Sequence, residues 1–450
     1  MSTTEQQVAH VWRRLGFSAT RTELDAGIAA GPVAVIDDLL SRPLVPFAAT
    51  GLSPLLPNAN ASMSRVLELM AYGPSTPASG ITDPTYNPFQ ERLSWMLQGL
   101  VVIGVVDSVY HADMIDHIQL LRDASTMSYK TLLQTVAVRP GMLKYLSGNT
   151  NIVGHPNQNF ARELSELFSL GRVDVVSGQS NYTQADVVDM ARALTGWTYN
   201  FTTGAVSFNK TNWDSGSKTF FGKNQGAAGL PEVVSAIAAH PAYATYVPAR
   251  VDRELVGLVP SASTLTTLQS VWLPDGDLLG LIKAIAHLPE FLSDQAIMAR
   301  TKTPVERVAA AARLLGSKTL GTDVNLPWNM TRLAQHPLIP PNVSGWPKGD
   351  QWLNATNLQL WSEVANGMAN HNFIWNGTTT GPVCPTVTLV FQNATGATAG
   401  AYVTHLAGLD PVTPKSAAAL DGYAKGGPWT LARAAGLLTL LLMTPEFLAN

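Results

Sequence analysis

Apolar residues recur at intervals of three and four along most of the chain, the spacing of one face of an α-helix. The pattern opens in "TEQQVAHVWRRLGFSAT" and continues through "VAVIDDLLSRP", with Pro or Gly at the breaks. It resumes from "NPFQERLSWM" to "YLSG", from about residue 231 to 313, and in "ATNLQLWSEVANGMAN". The chain is therefore predicted to be mainly α, with a single large helical domain over residues 1–450.

Three segments depart from this pattern. Residues 198–222 alternate polar with aromatic or β-branched side chains around "TTG", which predicts a small antiparallel β-hairpin or patch as an insertion. Residues 385–404 predict one or two short strands, within a loop or strand insertion at residues 371–410. Residues 43–88 are rich in Pro, Ser, Asn and Gly around one helical piece, and are interpreted as an excursion over the surface.

The two most apolar windows are "LQGLVVIGVVDSVY" and "AAGLLTLLLMTPEF". Each is shorter than the roughly 20 residues that a membrane-spanning helix needs. Both are predicted to be buried helices, and no membrane span is expected. The first residues lack the basic stretch and apolar run of an export signal, so a cytoplasmic location is expected unless a leader has been removed.

Composition narrows the classes of function. Hydrophobic residues make up 46% of the 450 residues and charged residues 14%, which indicates a large core under a thin charged shell. The formal net charge is -3, so a broad basic surface and nucleic-acid binding are not expected. Cys384 is the single cysteine, which excludes an internal disulfide and any metal site built from several cysteines.

The segment "NQNFARELSELFSLG", residues 157–171, places two glutamates inside a core-facing helical pattern. On a wheel at about 100° per residue, four residues form the apolar arc: Phe160, Leu164, Leu167 and Phe168. Three polar residues share the edge of that arc and are called the acidic edge: Asn159, Glu163 and Glu166. The other polar side chains point elsewhere: Arg162, Ser165 and Ser169. A carboxylate at such an edge is partly desolvated, and its pKa shifts unless it is paired.

A second helix follows the acidic edge. Thr183, with Asp186 three residues later, has the pattern of a capping box, and the helix is expected to end at Gly196. Asp189 and Arg192 on it have the spacing of a local ion pair, which contributes only a few tenths of a kcal/mol.

Two interpretations of the acidic edge stay open. In the first, Glu163 or Glu166 acts as a general acid or base in a polar pocket between the two helices, with Asn159 beside them. The candidate ligand-binding residues are then Arg162, Arg192 and Trp197. In the second, the carboxylates are structural: they pair with arginines of neighbouring helices and fix the packing, or are simply solvated at a helix boundary, since structural ion-pair networks also perturb pKa values.

The histidines give no metal signature. The sequence has neither a His-Glu-x-x-His motif nor a Cys/His cluster, and no pattern typical of a nucleotide, haem or zinc site, so the cofactor is unknown and no metal site is predicted. His111 lies four residues after Asp107 in a predicted helix, which makes it a fourth candidate catalytic residue if the pair joins the acidic edge. The alternative is a core or surface histidine.

Tryptophans cluster in and after a Pro-rich loop, "HPLIPPNVSGWPKGDQW". Trp346, Trp352 and Trp361 have the composition of an aromatic sugar-binding platform. Core packing is the favoured interpretation, because tryptophan is usually largely buried.

Several blocks occur in an order that resembles the bacterial DUF1800 family, a family of unknown function. They include "VAHVWRRLGFSATRTEL", "VRPGMLKYLSGNTN", "PNQNFARELSELFSLG", "YTQADVVDMARALTGW", "AAHPAYATYVPARVDREL", "PPNVSGWPKGDQW" and "TPEFLAN". The resemblance spans nearly the whole chain and is most specific from Pro156 to Trp197. It implies a largely helical protein, often exported, whose gene commonly lies near that of a second family that looks like sulfatases or phosphatases.

This chain also departs from the pattern of that family. An aromatic and histidine stretch is replaced by "LVVIGVVDSVYH", which leaves His111 as its counterpart. Gln158 stands where relatives carry an acidic residue, and Trp213-Asp214 stands where they carry His-Asp. If those groups are catalytic in relatives, this protein is altered or inactive.

Two functions follow from these observations. The first is an enzyme that uses the acidic edge on a small molecule, with hydrolytic and redox chemistry not separated. The second is a non-catalytic helical scaffold or partner-binding protein in which the same residues form a structural ion-pair network.

Overall fold

The computed structural model describes residues 2–74, 86–105, 109–200, 202–316, 320, 326–370 and 384–450. The prediction of a mainly α protein with a small β patch is confirmed. The helices up to residue 145 are α1 (Thr4–Leu15), α2 (Arg21–Ala30), α3 (Pro32–Ser41), α4 (Ala59–Tyr72), α5 (Pro88–Gln98), α6 (His111–Arg122), α7 (Tyr129–Ala137) and α8 (Pro140–Tyr145).

The middle and last parts of the chain continue in the same way. The middle helices are α9 (Asn159–Glu166), α10 (Gln184–Ala193), α11 (Leu230–Ala238), α12 (Tyr243–Val256), α13 (Ala262–Trp272), α14 (Leu278–Ala286) and α15 (Pro304–Leu315). The last are α16 (Leu326–Arg332), α17 (Ala355–Asn370), α18 (Pro385–Asn393), α19 (Ala399–Leu406), α20 (Pro414–Lys425), α21 (Leu431–Leu442) and α22 (Pro445–Leu448). Over the described ranges, none of these helices has the length and apolarity to cross a membrane.

The β-structure lies where the alternation predicts it. Strand β1 (Trp197–Tyr199) pairs antiparallel with β2 (Val206–Phe208), and β3 (Lys218–Phe220) pairs antiparallel with β4 (Lys223–Gly226). The strands form two separate two-stranded sheets within the described residues. The second sheet packs on α10.

The capping box before α10 is present as predicted. The Asp186 backbone N–H donates to Thr183 Oγ1 at 3.2 Å, and the Thr183 backbone N–H donates to Asp186 Oδ2 at 2.7 Å. The helix ends at Ala193, three residues before the expected Gly196, whose φ of 93° turns the chain into β1. That left-handed conformation favours glycine.

The strands predicted at residues 385–404 are wrong, because this region forms α18 and α19. Pro385 begins α18 at a position where its missing N–H costs nothing. Val387 and Val390 are both buried at a spacing of three residues, so packing against α21 overrides the local β-propensity. The part of the predicted insertion at 371–383 lies outside the described residues.

The apolar window "LQGLVVIGVVDSVY" covers residues 97–110, and residues 106–108 lie outside the described part of the chain. Residues 97–105 are mostly buried, as predicted, but helix α5 ends at Gln98 and residues 99–105 form no helix. Their backbone groups bond to distant elements: Val105 N–H donates to Leu338 O at 2.9 Å, and the His117 imidazole lies 2.9 Å from Val101 O. A Cβ on Gly104 would lie 2.5 Å from Pro340, so the close approach of the two segments requires glycine there. The second window forms α21 and α22.

The region 43–88 is not only a surface excursion. Helix α4 buries Met63, Leu67 and Met70, and Tyr72 Oη donates to the carbonyl oxygen of Ala312 on α15 at 3.0 Å. Residues 75–85 lie outside the described part of the chain.

Helix α15 lies at the centre of the core, since all its residues except Leu314 are buried. Its alanines at 309–312 let α4, α17 and α18 approach closely. The first turn of α15 adjoins a cleft bordered by α5, α12 and the loop at residues 346–350.

Candidate functional site

The acidic edge lies on α9, a short helix of eight residues. Phe160, Leu164 and Phe168 are buried as the wheel predicts, and Leu167 is half-buried. Glu163 and Glu166 are half-buried, while Asn159 is exposed.

Two serines of this segment, which the wheel places away from the apolar arc, are buried all the same. Ser165 and Ser169 are fully buried. Ser165 Oγ donates to Ala161 O at 2.9 Å and Ser169 Oγ to Leu164 O at 2.5 Å. A serine that satisfies its hydroxyl on the preceding turn can be buried, which a polar and apolar pattern does not indicate.

Neither glutamate of the acidic edge forms an ion pair with an arginine in the described part of the chain. Tyr182 Oη donates to Glu166 Oε2 at 3.4 Å. Burial raises the pKa of Glu163, the negative charge of Glu166 raises it further, and Arg162 acts in the opposite direction. Burial and the Glu163 charge likewise raise the pKa of Tyr145.

No large cavity adjoins these carboxylates among the cavities found in the described residues. The nearest along the chain is narrow, about 20 Å³, and is lined by Asn157, Phe160 and Trp197. It has room for about one water molecule. Glu163 and Glu166 do not line this cavity and have no arginine partner in the described part of the chain, so the acid/base role stays a prediction.

The other predicted binding residues have partners within the protein. Arg192 bonds to Asp214 at 2.8 Å and to Asp189 at 2.9 Å, which confirms the local pair and raises the pKa of the guanidinium. Arg162 donates to Gln184 Oε1 at 2.9 Å. Trp197 is half-buried, with its ring centroid 5.2 Å from that of Phe208.

His111 is the first residue of α6, and Asp107, its predicted partner, lies outside the described residues. That His111 joins the acidic edge therefore stays a prediction. Its Nε2 is buried and has no hydrogen-bond partner in the described part of the chain. The described residues contain no group of three or more His, Cys, Asp or Glu side chains arranged to hold a metal ion.

A second site, which the sequence pattern did not indicate, is a cleft of about 430 Å³. Its walls come from four distant segments, residues 95–100, 250–257, 299–303 and 346–350, and from Gln335. Trp95 and Trp346 form one wall, with ring centroids 4.9 Å apart and planes inclined by 36°. The backbone packs tightly at Gly257, where a Cβ would lie 2.9 Å from Arg14 Nη2.

The lining of the cleft carries more positive than negative charge. Four basic side chains line it, Arg250, Arg253, Arg300 and Lys348, against two acidic ones, Glu254 and Asp350. Arg300 Nη2 is 2.6 Å from Glu254 Oε1, and Asp350 Oδ1 accepts a hydrogen bond from Thr301 at 2.8 Å. Thus, one of the four cations is paired with a carboxylate of the lining.

The other three cations are free of carboxylate partners in the described structure. Arg250 is held by backbone oxygens, donating to Leu167 O at 2.7 Å and to Gly99 O at 3.2 Å. The side chains of Arg253 and Lys348 are exposed and make no hydrogen bond or ion pair with a described residue.

The walls of the cleft lower the pKa of Lys348. Although Lys348 reaches solvent, the protein around its ammonium desolvates it and lowers its pKa to about 8. Positive charge on Arg250, Arg253 and Arg300 contributes in the same direction, while Glu254 opposes it.

Beneath the cleft the positive charge continues into the core. Arg14 is fully buried and donates to the carbonyl oxygens of Val256 and Ala296 at 3.3 and 3.0 Å. Burial lowers its pKa, and the nearby charges of Arg300 and Arg92 lower it further. Buried carboxylate charge at this level comes from Glu306, which pairs with Arg92 and lies 3.5 Å from Arg300.

Comparison with known sequences places the whole chain in one family. A sequence model described as "Protein of unknown function (DUF1800)" matches residues 10–449. The chain belongs to the DUF1800 family. The searches of curated proteins and of solved structures found no match.

The positions expected from the resemblance to depart from the family, Gln158 and Trp213-Asp214, make contacts within the protein. Gln158 Oε1 accepts from Gln184 Nε2 at 2.7 Å. Asp214 accepts from Arg192 Nε, and the Lys218 ammonium lies 5.0 Å from the centroid of the Trp213 ring. These contacts connect the start of α9 and the segment before β3 with α10 and β3 in this DUF1800 protein.

The tryptophans divide between core and cleft. Trp352 and Trp361 are buried in the core, as favoured from the sequence, whereas Trp346 is largely buried but lines the cleft. The available signals for the cleft were the blocks "ARVDREL" and "GWPKGDQW" within the DUF1800 resemblance, which contain its basic residues Arg250, Arg253 and Lys348. Nothing in the sequence shows that they meet.

Proposed function

We propose that this DUF1800 protein binds a small organic anion in the cleft. The observation that carries the proposal is that Arg253 and Lys348 line the cleft without a carboxylate partner among the described residues. Concave walls of low dielectric strengthen the field of such charges and raise the local concentration of anions.

The dimensions of the cleft favour a small molecule over a bare ion. About 430 Å³ falls within the range of roughly 300–1,000 Å³ that is common for small-molecule sites. Leu100, Val251 and the Trp95–Trp346 wall supply apolar surface beside the cations. An anionic group with an attached carbon skeleton matches both kinds of surface.

Calorimetric titration of the full chain with pyruvate, benzoate and inorganic phosphate tests the proposal. We expect the organic anions to bind, and the substitution Arg253→Gln to weaken their binding by about tenfold, the effect of losing roughly 1.4 kcal/mol of interaction. Arg253 is exposed and unpaired in the described structure, so its replacement should change the free energy of unfolding by less than about 0.5 kcal/mol.

The matched control is Arg172→Gln, because Arg172 is an exposed arginine outside the cleft. Binding that Arg172→Gln weakens as much as Arg253→Gln would reflect general charge and contradict the proposal. Absence of binding for all three anions would also contradict it.

An acid/base role at the acidic edge is a second candidate. It is supported by the half-buried carboxylate of Glu163, which has no ion-pair partner in the described part of the chain and a pKa raised by burial and by Glu166. Incubating the wild type and Glu163→Gln with a small-molecule extract should then show a conversion that only the wild type performs. Identical metabolite profiles would argue against acid/base work by Glu163.

A further inference from the structure

The amine of Lys348 is placed for chemistry as well as for charge. This inference rests on the proposed function, since it concerns a ligand held in the same cleft. Several lysines in the described structure are held by carboxylates, for example Lys144 by Asp113 and Lys130 by Asp275. Lys348 has no such partner there, so its Nζ is available to a ligand.

The surroundings of Lys348 favour the neutral amine. With a pKa of about 8, roughly a tenth of the side chain is unprotonated at pH 7, compared with less than about 0.1% for an ordinary lysine. Desolvation and nearby cationic groups are the two means by which proteins activate lysine as a nucleophile. Both occur in this cleft.

The arginines determine what such an amine would meet. Arg250 and Arg253 line the same cleft and carry guanidinium groups without carboxylate partners in the described structure. A guanidinium binds a carboxylate through paired hydrogen bonds. A ligand that binds to the arginines and also reacts with the amine must carry a carboxylate beside an electrophilic carbon.

We propose that Lys348 forms an imine with a 2-oxo acid whose carboxylate is bound by Arg253 and Arg250. The nitrogen lone pair attacks the carbonyl carbon, and the carbonyl oxygen takes up a proton. The nitrogen then gives up its protons as the carbon–oxygen bond breaks, and one water molecule leaves. The reaction of an amine with a ketone to an imine and water needs neither oxidant nor reductant.

Two carboxylates line the cleft and are available for the proton transfers. Glu254 is bound to Arg300, and Asp350 is bound to Thr301. Either one can relay a proton between the amine and the departing oxygen, directly or through water.

Reductive trapping with sodium cyanoborohydride tests the proposal on the full chain. Pyruvate and acetone are the probes, because both are methyl ketones and only pyruvate carries a carboxylate. After digestion and mass spectrometry, we expect pyruvate to label Lys348 at least about tenfold more than Lys223, as the difference in free amine implies. Lys223 is an exposed lysine on β4 outside the cleft. Acetone should label Lys348 much less than pyruvate does.

Variants at three positions separate the amine from the charge. Lys348→Arg keeps a cation and should lose the pyruvate adduct, while Lys223→Arg should keep it. Arg253→Gln should reduce labelling of Lys348 by pyruvate more than labelling by acetone. It removes a binding group for the carboxylate, which only pyruvate has, as well as a positive charge that lowers the pKa of Lys348 for both reagents. Equal labelling of Lys348 and Lys223 would overturn the imine.

Imine formation on Lys348 and anion binding in the cleft can be disproved separately. If pyruvate binds in calorimetry and Arg253→Gln weakens that binding, but no adduct forms on Lys348, the imine is wrong and anion binding stands. If neither binding nor labelling depends on Arg253, both are wrong.

Discussion

Asp252 precedes the cleft residue Arg253 on α12, but its environment is the interior of the protein. The residue is 2% exposed, and its Oδ1 has no hydrogen-bond partner among the described residues. Burial raises its pKa to about 7, with a further contribution from the negative charge of Glu290, and Arg253 opposes the shift. The carboxyl is therefore largely protonated in the folded protein below neutral pH.

The raised pKa makes the protein less stable as the pH rises. Between pH 3.8, the pKa of this carboxyl in the unfolded chain, and about pH 7, the folded protein keeps a proton that the unfolded chain has lost. The free energy of unfolding therefore falls by about 1.4 kcal/mol for each pH unit over this range. This loss of stability is complete above about pH 7. The substitution Asp252→Asn removes the loss, because an amide does not ionise.

The difference in unfolding free energy between Asp252→Asn and the wild type should shift in favour of the variant by about 2–4 kcal/mol as the pH rises from about 4 to about 8. Urea unfolding at both pH values measures this gain. Asp410→Asn, at an exposed aspartate, is the control and should differ from the wild type by the same small amount at both. A pH-independent effect of Asp252→Asn would contradict the raised pKa.

Lys348 gives the cleft its own pH dependence. Because its pKa is about 8, its positive charge is present below that pH and is lost above it. Affinity for benzoate, which stays ionised throughout and has no ketone to react with the amine, should therefore fall as the pH rises from about 7 to about 9.

Calorimetric titration across that range measures the decline, and Lys348→Arg should bind with nearly constant affinity, since arginine stays charged. A decline of equal size in Lys348→Arg would assign the titration to another group.

At the scale of elements, Glu306 connects α15 to the basic residues beneath the cleft. It is 1% exposed, and its Oε2 accepts from the Thr303 backbone N–H at 2.8 Å as part of a capping box. Burial alone would raise its pKa, but Arg92 and Arg300 hold it well below the usual range. The carboxylate is thus kept ionised by the charges that it neutralises.

Glu306→Gln should destabilise the protein by about 3 kcal/mol or more, because it leaves Arg92 buried with only the longer contact to Glu254, at 3.4 Å. Denaturant unfolding measures the loss. The matched control is Glu232→Gln, since Glu232 caps α11 in the same way but is exposed. It should cost less than about 1 kcal/mol. Equal losses would mean that the cap, and not the ion pair, accounts for the effect.

The sequence predicts elements well where local signals agree with packing. The capping box at Thr183 and the apolar arc of α9 are both local patterns, and both are present. Prediction failed at residues 385–404 and 99–105, where contacts with α21 and with Leu338 determine the conformation. Such long-range contacts override local propensity.

At the scale of the whole molecule, the cleft was out of reach of sequence patterns for the same reason. Its lining combines residues near 95, 253, 300 and 348, and nothing in the period of any one helix brings them together. The acidic edge was found because its three residues lie on one helix. Proximity in sequence therefore drew attention to one short helix, while the cleft is formed by the packing of separate segments.

Hydrogen exchange over the whole chain distinguishes the two sites in one measurement. A ligand slows exchange where it stabilises local structure, so pyruvate should protect residues 346–350 and the last turns of α12, and leave α9 unchanged. Arg253→Gln should abolish this protection at the same pyruvate concentration. Protection confined to residues 159–166 would instead place the ligand at the acidic edge, and binding in the cleft would then be the wrong choice of the two.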